Sequence, residues 1–147
     1  YGCDICQEVC PWNERFAEAT GAPAYRASQD LDGPSLLDLA ESLLSTDESG
    51  FRKTFKKSAI KRAKRSGFLR NICIALGNWG APAAVTTLLR ALSDIEPLVR
   101  GHAAWALGQI GSSSARSALS ESLSSEEDAW VKTEISAALE TQDSSGL

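Results

Sequence analysis

The sequence contains LRNICIALGNWG at residues 69–80 and a related segment, VRGHAAWALGQIG, at residues 99–111. Both segments end in Gly-x-x-Gly, and the glycines of the second lie 31 positions after those of the first. A weaker third copy covers residues 131–139, at an offset of 32 from the second. Apolar residues recur in these copies at helical spacing, which predicts that each copy is a helix with a buried face.

Second helices are predicted between the copies, at residues 82–92 and 114–123, and Pro82 suits the first turn of the former. Helix pairs that recur with a period near 31 residues are typical of an α-solenoid, in which each unit buries its apolar face against its neighbours. The period is shorter than that of typical HEAT repeats, which is about 40–47 residues. We therefore predict an all-α fold, with HEAT-like repeats of paired antiparallel helices over residues 68–143 and a frayed tail at residues 144–147.

The region before the repeats, residues 34–67, is predicted to form amphipathic and basic helices. Pro34 suits the first turn of a helix, and the apolar residues that follow share one helical face: Leu36, Leu37, Ala40, Leu43 and Leu44. Residues 14–33 contain glycine, proline and aspartate and are predicted to be an irregular connector. Residues 1–13 form a separate cysteine-containing segment.

Local capping patterns divide residues 34–67 further. Ser45 followed by Glu48 matches a capping box that opens a short helix, and Ser58 is a candidate cap for the next helix. Gly67 is expected to mark a break or a bend. The predicted core residues of these helices are Phe51, Phe55, Ile60 and Ala63.

Composition places the chain among globular proteins. Of its 147 residues, 43% are hydrophobic and 23% are charged. No apolar stretch approaches the roughly 20 residues that span a bilayer, and no signal peptide is present. The cysteines do not form a disulfide framework, so we expect a reduced, cytoplasmic location. Because the chain begins at Tyr1, two residues before a cysteine motif, we expect it to be a fragment of a longer protein.

Positive charge is concentrated in one region, although the formal net charge is −4. Nine of the fifteen basic residues lie between Arg52 and Arg70, and no acidic residue occurs from Ser49 to Ser93. Alone, such a run is typical of a solubilising surface; beside a cysteine motif it favours phosphate binding, which offsets the repulsion between like charges. The candidate nucleic-acid-binding residues are Arg52, Lys53, Lys56, Lys57, Lys61, Arg62, Lys64, Arg65 and Arg70. Five of them are expected to face solvent on one continuous surface: Lys61, Arg62, Lys64, Arg65 and Arg70.

Among these candidates, the arginines at positions 62, 65 and 70 are expected to make the more specific contacts. A guanidinium group binds a phosphate through two parallel hydrogen bonds, whereas an ammonium group acts as a point charge.

The cysteine motif consists of Cys3, Cys6 and Cys10, followed by Pro11. This C-x2-C-x3-C-P spacing matches the last three positions of the bacterial ferredoxin run C-x2-C-x2-C-x3-C-P, whose final cysteine ligates the second of two clusters. Iron–sulfur ligation is the favoured interpretation. Zinc and three free thiols are the alternatives, although zinc sites usually come as two separated pairs. The fourth cysteine, Cys73, lies among apolar residues and is predicted to be a small core residue.

Other conspicuous side chains are interpreted as structural. His102 is not part of a nearby carboxylate–Ser or carboxylate–Cys arrangement, and the tryptophans of the repeats are predicted core residues: Trp79, Trp105 and Trp130. Trp12 follows the cysteine motif and is a candidate to shield a cluster from water. The sequence contains no paired carboxylates, phosphate-binding glycine loop or nucleophile motif, so no catalytic residue is expected in this chain.

Three blocks resemble the C-terminal part of the epoxyqueuosine reductase family: YGCDICQEVCPWN at residues 1–13, AIKRAKRSGFLRN at residues 59–71 and ALGN at residues 75–78. The first two blocks are very specific, and the resemblance covers most of residues 1–140. It implies a cytoplasmic enzyme of tRNA modification, which reduces epoxyqueuosine to queuosine at the wobble position of the anticodon.

The resemblance also implies cofactors and partners. Full-length members combine a cobalamin-binding reductase domain, a ferredoxin-like insert with two [4Fe–4S] clusters and a HEAT-like domain. By this pattern Cys3 and Cys6 serve one cluster and Cys10 the other, while the remaining ligands, the cobalamin site and the catalytic acid lie upstream. The implied partners are the tRNA anticodon region and an electron donor, with no membrane and a monomeric protein. This chain alone is expected to be inactive.

One departure limits the expected nucleic-acid surface. The third repeat is degenerate, and the loop that precedes it is acidic at residues 126–128, so the surface is not expected to extend that far. The alternative interpretation is a HEAT-like protein-interaction module attached to a ferredoxin-like electron-transfer domain. Binding to tRNA weakens steeply with salt, whereas docking on an apolar surface does not.

The split ligand set predicts that the 147-residue chain does not hold a stable [4Fe–4S] cluster by itself. Two thiolates for one cluster and one for the other leave both clusters short of the four that each requires. Anaerobic reconstitution, followed by iron and sulfide analysis, measures the outcome. A stoichiometric cubane bound to the monomer would contradict the split assignment.

Overall fold

The computed structural model describes Ile5, residues 9–16, Glu18 and residues 35–144, with 142–144 as backbone only. The chain divides into two compact units, Tyr1–Pro34 and Ser35–Leu147. In the described part of the first unit, helix α1 spans Pro11–Phe16. The predictions for Pro34, for most of the connector and for residues 145–147 lie outside the described residues.

The second unit is built from seven α-helices in its described part: α2 (Leu36–Leu44), α3 (Glu48–Thr54), α4 (Lys64–Trp79), α5 (Val85–Leu92), α6 (Pro97–Ile110), α7 (Ser113–Ser125) and α8 (Ala129–Ser144). Short 3-10 helices at Ala59–Ala63 and Pro82–Ala84 lead into α4 and α5. All regular structure within residues 35–144 is helical, which confirms the predicted all-α class. No helix in the described residues combines the length and the hydropathy needed to cross a membrane.

The helices of the second unit form two layers. Helices α4, α6 and α8 pack side by side in one layer, and α2, α5 and α7 lie against them in the other, while α3 packs on α4. Each copy of the sequence repeat forms one helix of the first layer. The predicted solenoid of paired helices is therefore confirmed.

The Gly-x-x-Gly pattern has one physical role for each glycine. A Cβ atom on Gly77 would lie 2.9 Å from the Cα of Ala106, and one on Gly108 would lie 2.8 Å from the Cβ of Ala138, so these glycines let neighbouring helices approach closely. Gly80 and Gly111 end α4 and α6 in the left-handed conformation, with φ of 69° and 66°. Glycine adopts that conformation without steric cost.

The core lies between the layers. Leu76 and Leu107 occupy equivalent repeat positions and are 1% and 0% exposed, as predicted. Cys73, one turn before Leu76, is 2% exposed, so its predicted core role is confirmed. Burial, assisted by the negative charge of Asp94, raises the pKa of the Cys73 thiol to about 12. The thiol therefore stays protonated and packs as an apolar group.

Two of the predicted helix boundaries in residues 34–67 are wrong. The cap of α3 is Asp47, whose Oδ1 accepts a hydrogen bond from the N–H of Gly50 at 2.7 Å. Ser45 instead ends α2 and donates its hydroxyl proton to the carbonyl of Glu41. The chain bends at Lys64, where φ is 59°, and Gly67 lies inside α4. The predicted cap at Ser58 is confirmed, because its Oγ accepts the N–H of Ile60 at 3.2 Å.

An aromatic cluster fixes α3 against α4. Phe51 and Phe55 are buried, with ring centroids 4.7 Å apart, and both rings contact Phe68 of α4. Ile60 and Ala63, which were also predicted to be core residues, are only half-buried because they lie in a single 3-10 turn at the surface.

The repeat tryptophans are not core residues, contrary to the prediction. Trp79 is 56% exposed and Trp130 is 40% exposed, while Trp105 is half-buried. The inner positions between the layers are filled by small and aliphatic side chains. The rings of Trp105 and Trp130 lie instead against Gly77 and Gly101 of the neighbouring helices and stay partly accessible.

Candidate nucleic-acid interface

Seven of the nine predicted basic residues are exposed on one continuous segment, which runs from α3 through the 3-10 helix to the first residue of α4. We call them the basic surface: Arg52, Lys53, Lys56, Lys57, Lys61, Arg62 and Lys64. The periodicity of α3 explains the exposure of Arg52 and Lys53, because Phe51 and Phe55 turn inward and leave the intervening positions outside.

The structure brings part of the basic surface around one depression of about 540 Å³. Its lining includes Arg52, Lys53, Lys56 and Lys61, together with Glu48 and Ser49. Within the described residues, only Arg52 of the basic surface has a carboxylate within ion-pair distance, at 3.8 Å from Glu48. The remaining positive charges are therefore open to an external anion.

Arg65 does not belong to this surface, contrary to the prediction. It is 7% exposed, and its guanidinium group forms a two-pronged ion pair with Asp94, with distances of 3.1 Å from Nη1 to Oδ1 and 2.6 Å from Nη2 to Oδ2. The positive φ of Lys64 turns the chain so that Lys64 lies outside and Arg65 inside. A side chain that is already paired and buried cannot bind a phosphate.

The remaining donors of Arg65 hold two further segments. Its Nε–H donates to the carbonyl oxygens of Leu43 at 3.1 Å and Thr46 at 2.5 Å. The Arg65 side chain thereby caps the C-terminal end of α2. Its backbone N–H donates to the carboxylate of Glu48 at the start of α3, at 2.9 Å. Sequence reasoning missed Asp94 as the partner, although it is the first acidic residue after the acid-free stretch and lies between two predicted helices.

Arg70 is also less available than predicted. It is half-buried on α4, and its Nε and Nη2 atoms donate to the side-chain oxygen of Asn71 at 3.1 and 2.8 Å. Of the three arginines expected to make specific contacts, only Arg62 is exposed.

The acidic loop before α8 has a structural role. Arg100 of α6 donates two hydrogen bonds to the carboxylate of Glu126, at 2.8 and 2.7 Å. These bonds lower the pKa of Glu126 to about 2. The same carboxylate accepts the backbone N–H groups of Glu127 and Asp128, so it holds the loop in place.

Only part of the cysteine motif can be placed. Cys10 is half-buried and immediately precedes α1, where its carbonyl oxygen accepts the N–H of Glu14 at 3.0 Å. Trp12 is 72% exposed and stacks on Phe16, with ring centroids 5.3 Å apart. Cys3 and Cys6 lie outside the described residues, and no group of three or more His, Cys, Asp or Glu side chains suited to a metal ion occurs among the described ones. Metal ligation by the three cysteines stays a prediction.

The predicted structural role of His102 agrees with its contacts. Its Nδ1 lies 2.8 Å from the carbonyl oxygen of Leu98, one turn earlier in α6. Its ring lies beside that of Trp130, with centroids 5.6 Å apart.

Comparison with known proteins identifies the relatives of the chain. A family model described as HEAT repeats matches residues 57–140. An epoxyqueuosine reductase of Xanthomonas campestris is 40% identical over 112 residues, which cover 76% of this chain and 30% of the relative. An epoxyqueuosine reductase of Vibrio cholerae is 42% identical over 108 residues, which cover 73% of this chain and 28% of the relative.

A solved structure agrees with these relatives. The crystal structure of an epoxyqueuosine reductase with a tRNA-Tyr epoxyqueuosine-modified stem loop superposes with a TM-score of 0.81 at 29% identity, covering 97% of this chain and 37% of that one. The chain thus spans less than a third of the length of the curated relatives and little more than a third of the solved structure. The resemblance drawn from the sequence is confirmed.

The burial of Arg65 predicts that Arg65→Met destabilises the fold by about 3–5 kcal/mol, because it leaves the Asp94 carboxylate buried without a partner. The matched control is Arg62→Met on the exposed surface, which we expect to change the stability by no more than about 0.5 kcal/mol. Urea denaturation of both variants measures the difference. Equal stabilities for the two variants would contradict the structural role of Arg65.

Proposed function

We propose that this chain, which belongs to the HEAT-repeat family, works as part of a cytoplasmic epoxyqueuosine reductase. The proposal rests on its similarity to epoxyqueuosine reductases. In this role the solenoid holds the tRNA substrate through the basic surface. The cysteine segment contributes ligands to the iron–sulfur clusters of the same enzyme.

The basic surface carries the proposal for tRNA. Six of its seven side chains have no carboxylate partner within ion-pair distance among the described residues. Fixed positive charges that are not compensated within the protein release counterions when they bind a phosphate backbone, and this release supplies affinity. The tRNA stem loop in the related crystal structure is a ligand with such a phosphate backbone.

The helical layers give the basic surface a fixed position. Phe51 and Phe55 join α3 to α4, and Arg65 joins α4 to α2 and to the loop before α6. Contacts to phosphates position a nucleic acid without reading its sequence. The basic surface is therefore suited to gripping the stem of many tRNAs while a modified base is presented elsewhere.

The cysteine segment is suited to electron delivery. Removal of an epoxide oxygen as water consumes two electrons and two protons, so the reaction requires an electron donor and a route to the substrate. We assign Cys3 and Cys6 to one [4Fe–4S] cluster and Cys10 to a second, on the basis of their spacing. Cys10 is half-buried and lies directly before α1, which begins at Pro11. Its side chain is therefore accessible enough to ligate a cluster. The remaining ligands and a cobalamin site are assigned to residues that this chain does not contain.

The test is the salt dependence of binding to an RNA anticodon stem loop. The variant Lys56→Gln/Arg62→Gln is expected to bind more weakly, with the slope of log K against log[salt] reduced by about 0.7–0.9 for each phosphate that the variant no longer neutralises. The matched control is Lys132→Gln, which removes an exposed charge from α8 and is expected to leave the affinity and the slope unchanged. Fluorescence anisotropy with a labelled stem loop measures both.

An equal decrease in affinity for the double variant and for the control would show a general charge effect and contradict the assigned surface. An unchanged affinity in the double variant would leave the basic surface as solvated protein surface. Binding that does not weaken with salt would favour the alternative of a protein-interaction module.

A further inference from the structure

A second cavity lies on the solenoid, away from the basic surface. It has a volume of about 260 Å³ and is lined by Ile74 of α4, His102 and Trp105 of α6, and Trp130 and Glu134 of α8. All three helices of the first layer thus contribute to one site, and none of its lining residues belongs to the basic surface.

Two glycines inside helices leave room for the indole rings of this cavity. A Cβ atom on Gly77 would lie 2.8 Å from Cζ3 of Trp105, and one on Gly101 would lie 2.5 Å from Cζ3 of Trp130. Glycine is unfavourable inside a helix, so both positions carry a local penalty. The glycines hold the rings against the neighbouring helices while leaving part of each ring accessible.

The cavity has one acidic group, the carboxylate of Glu134. Glu134 is half-buried one turn after Trp130, and no ion pair or hydrogen bond engages its carboxylate in the part of the chain that the structure describes. The Nδ1 of His102 lies 2.8 Å from the carbonyl oxygen of Leu98. Because a carbonyl oxygen only accepts, this contact places a proton on Nδ1.

We propose that this cavity binds a basic side chain of a partner protein, in particular the guanidinium group of an arginine. A planar guanidinium stacks on an indole ring through cation–π attraction and donates two hydrogen bonds to a carboxylate. Trp105 and Trp130 supply the aromatic faces, and Glu134 supplies the countercharge. A nucleotide fits less well, because its phosphates would be repelled by the carboxylate of Glu134, and the cavity lining contains no lysine or arginine among the described residues.

The probe is N-acetyl-L-arginine amide, added to the 147-residue chain and followed through the indole N–H signals in ¹H–¹⁵N NMR spectra. Saturable shifts are expected for Trp105 and Trp130, whereas Trp12 and Trp79 do not line the cavity and are expected to stay unchanged. N-acetyl-L-citrulline amide has nearly the same shape without the charge and is expected to produce no saturable shift. A response to citrulline equal to that of arginine would overturn the proposal.

The variant Glu134→Gln keeps the shape of the side chain and removes its charge, so it is expected to weaken arginine binding about tenfold. Glu121→Gln, on the exposed side of α7, is the matched control and is expected to bind as the unsubstituted chain does. Equal binding by both variants would overturn the proposal. Preferential shifts of the same indole signals by guanosine monophosphate would also overturn it, because they would assign the cavity to a nucleotide.

Discussion

The buried guanidinium group of Arg65 joins separate parts of the second unit through one side chain. It pairs with Asp94 in the loop before α6 and donates to carbonyl oxygens at the end of α2. The backbone N–H of the same residue donates to Glu48 at the start of α3. Both charges are almost inaccessible to water, so loss of either partner would leave a buried charge without compensation. Together with the aromatic cluster, the hydrogen bond to Glu48 holds α3 and its exposed basic residues against α4.

The distribution of charge along the solenoid separates two surfaces of opposite character. The basic surface lies before the repeats, where α3 and the 3-10 helix present lysines and arginines with few acidic partners. The tryptophan-lined cavity lies within the repeats, and its carboxylate is contributed by α8. Arg100 and Glu126 neutralise each other at the start of the last repeat, where Glu126 also holds the acidic loop through backbone N–H groups. The two surfaces therefore present side chains of opposite charge at different places on the solenoid.

The repeat architecture could be predicted because it depends on local spacing. Gly77 and Gly108 permit close helix packing, Gly80 and Gly111 end the helices, and the apolar residues between them face the core. The role of Arg65 could not be predicted in this way, since its partner lies 29 positions away and composition alone does not separate a buried charge from an exposed one. Trp105 and Trp130 were misassigned for a similar reason: their places depend on glycines of neighbouring helices.

The central claim is that adjacent basic residues have separate roles, in which Arg65 maintains the fold and the basic surface contacts RNA. The Nε–H signals of the arginines, recorded by NMR during titration with an anticodon stem loop, test this claim directly. We predict that the Arg65 signal exchanges slowly with water and keeps its position, because its Nε–H is bound to two backbone carbonyls, while the Arg62 signal shifts with added RNA. Fast exchange of the Arg65 signal together with a shift on RNA addition would contradict the claim.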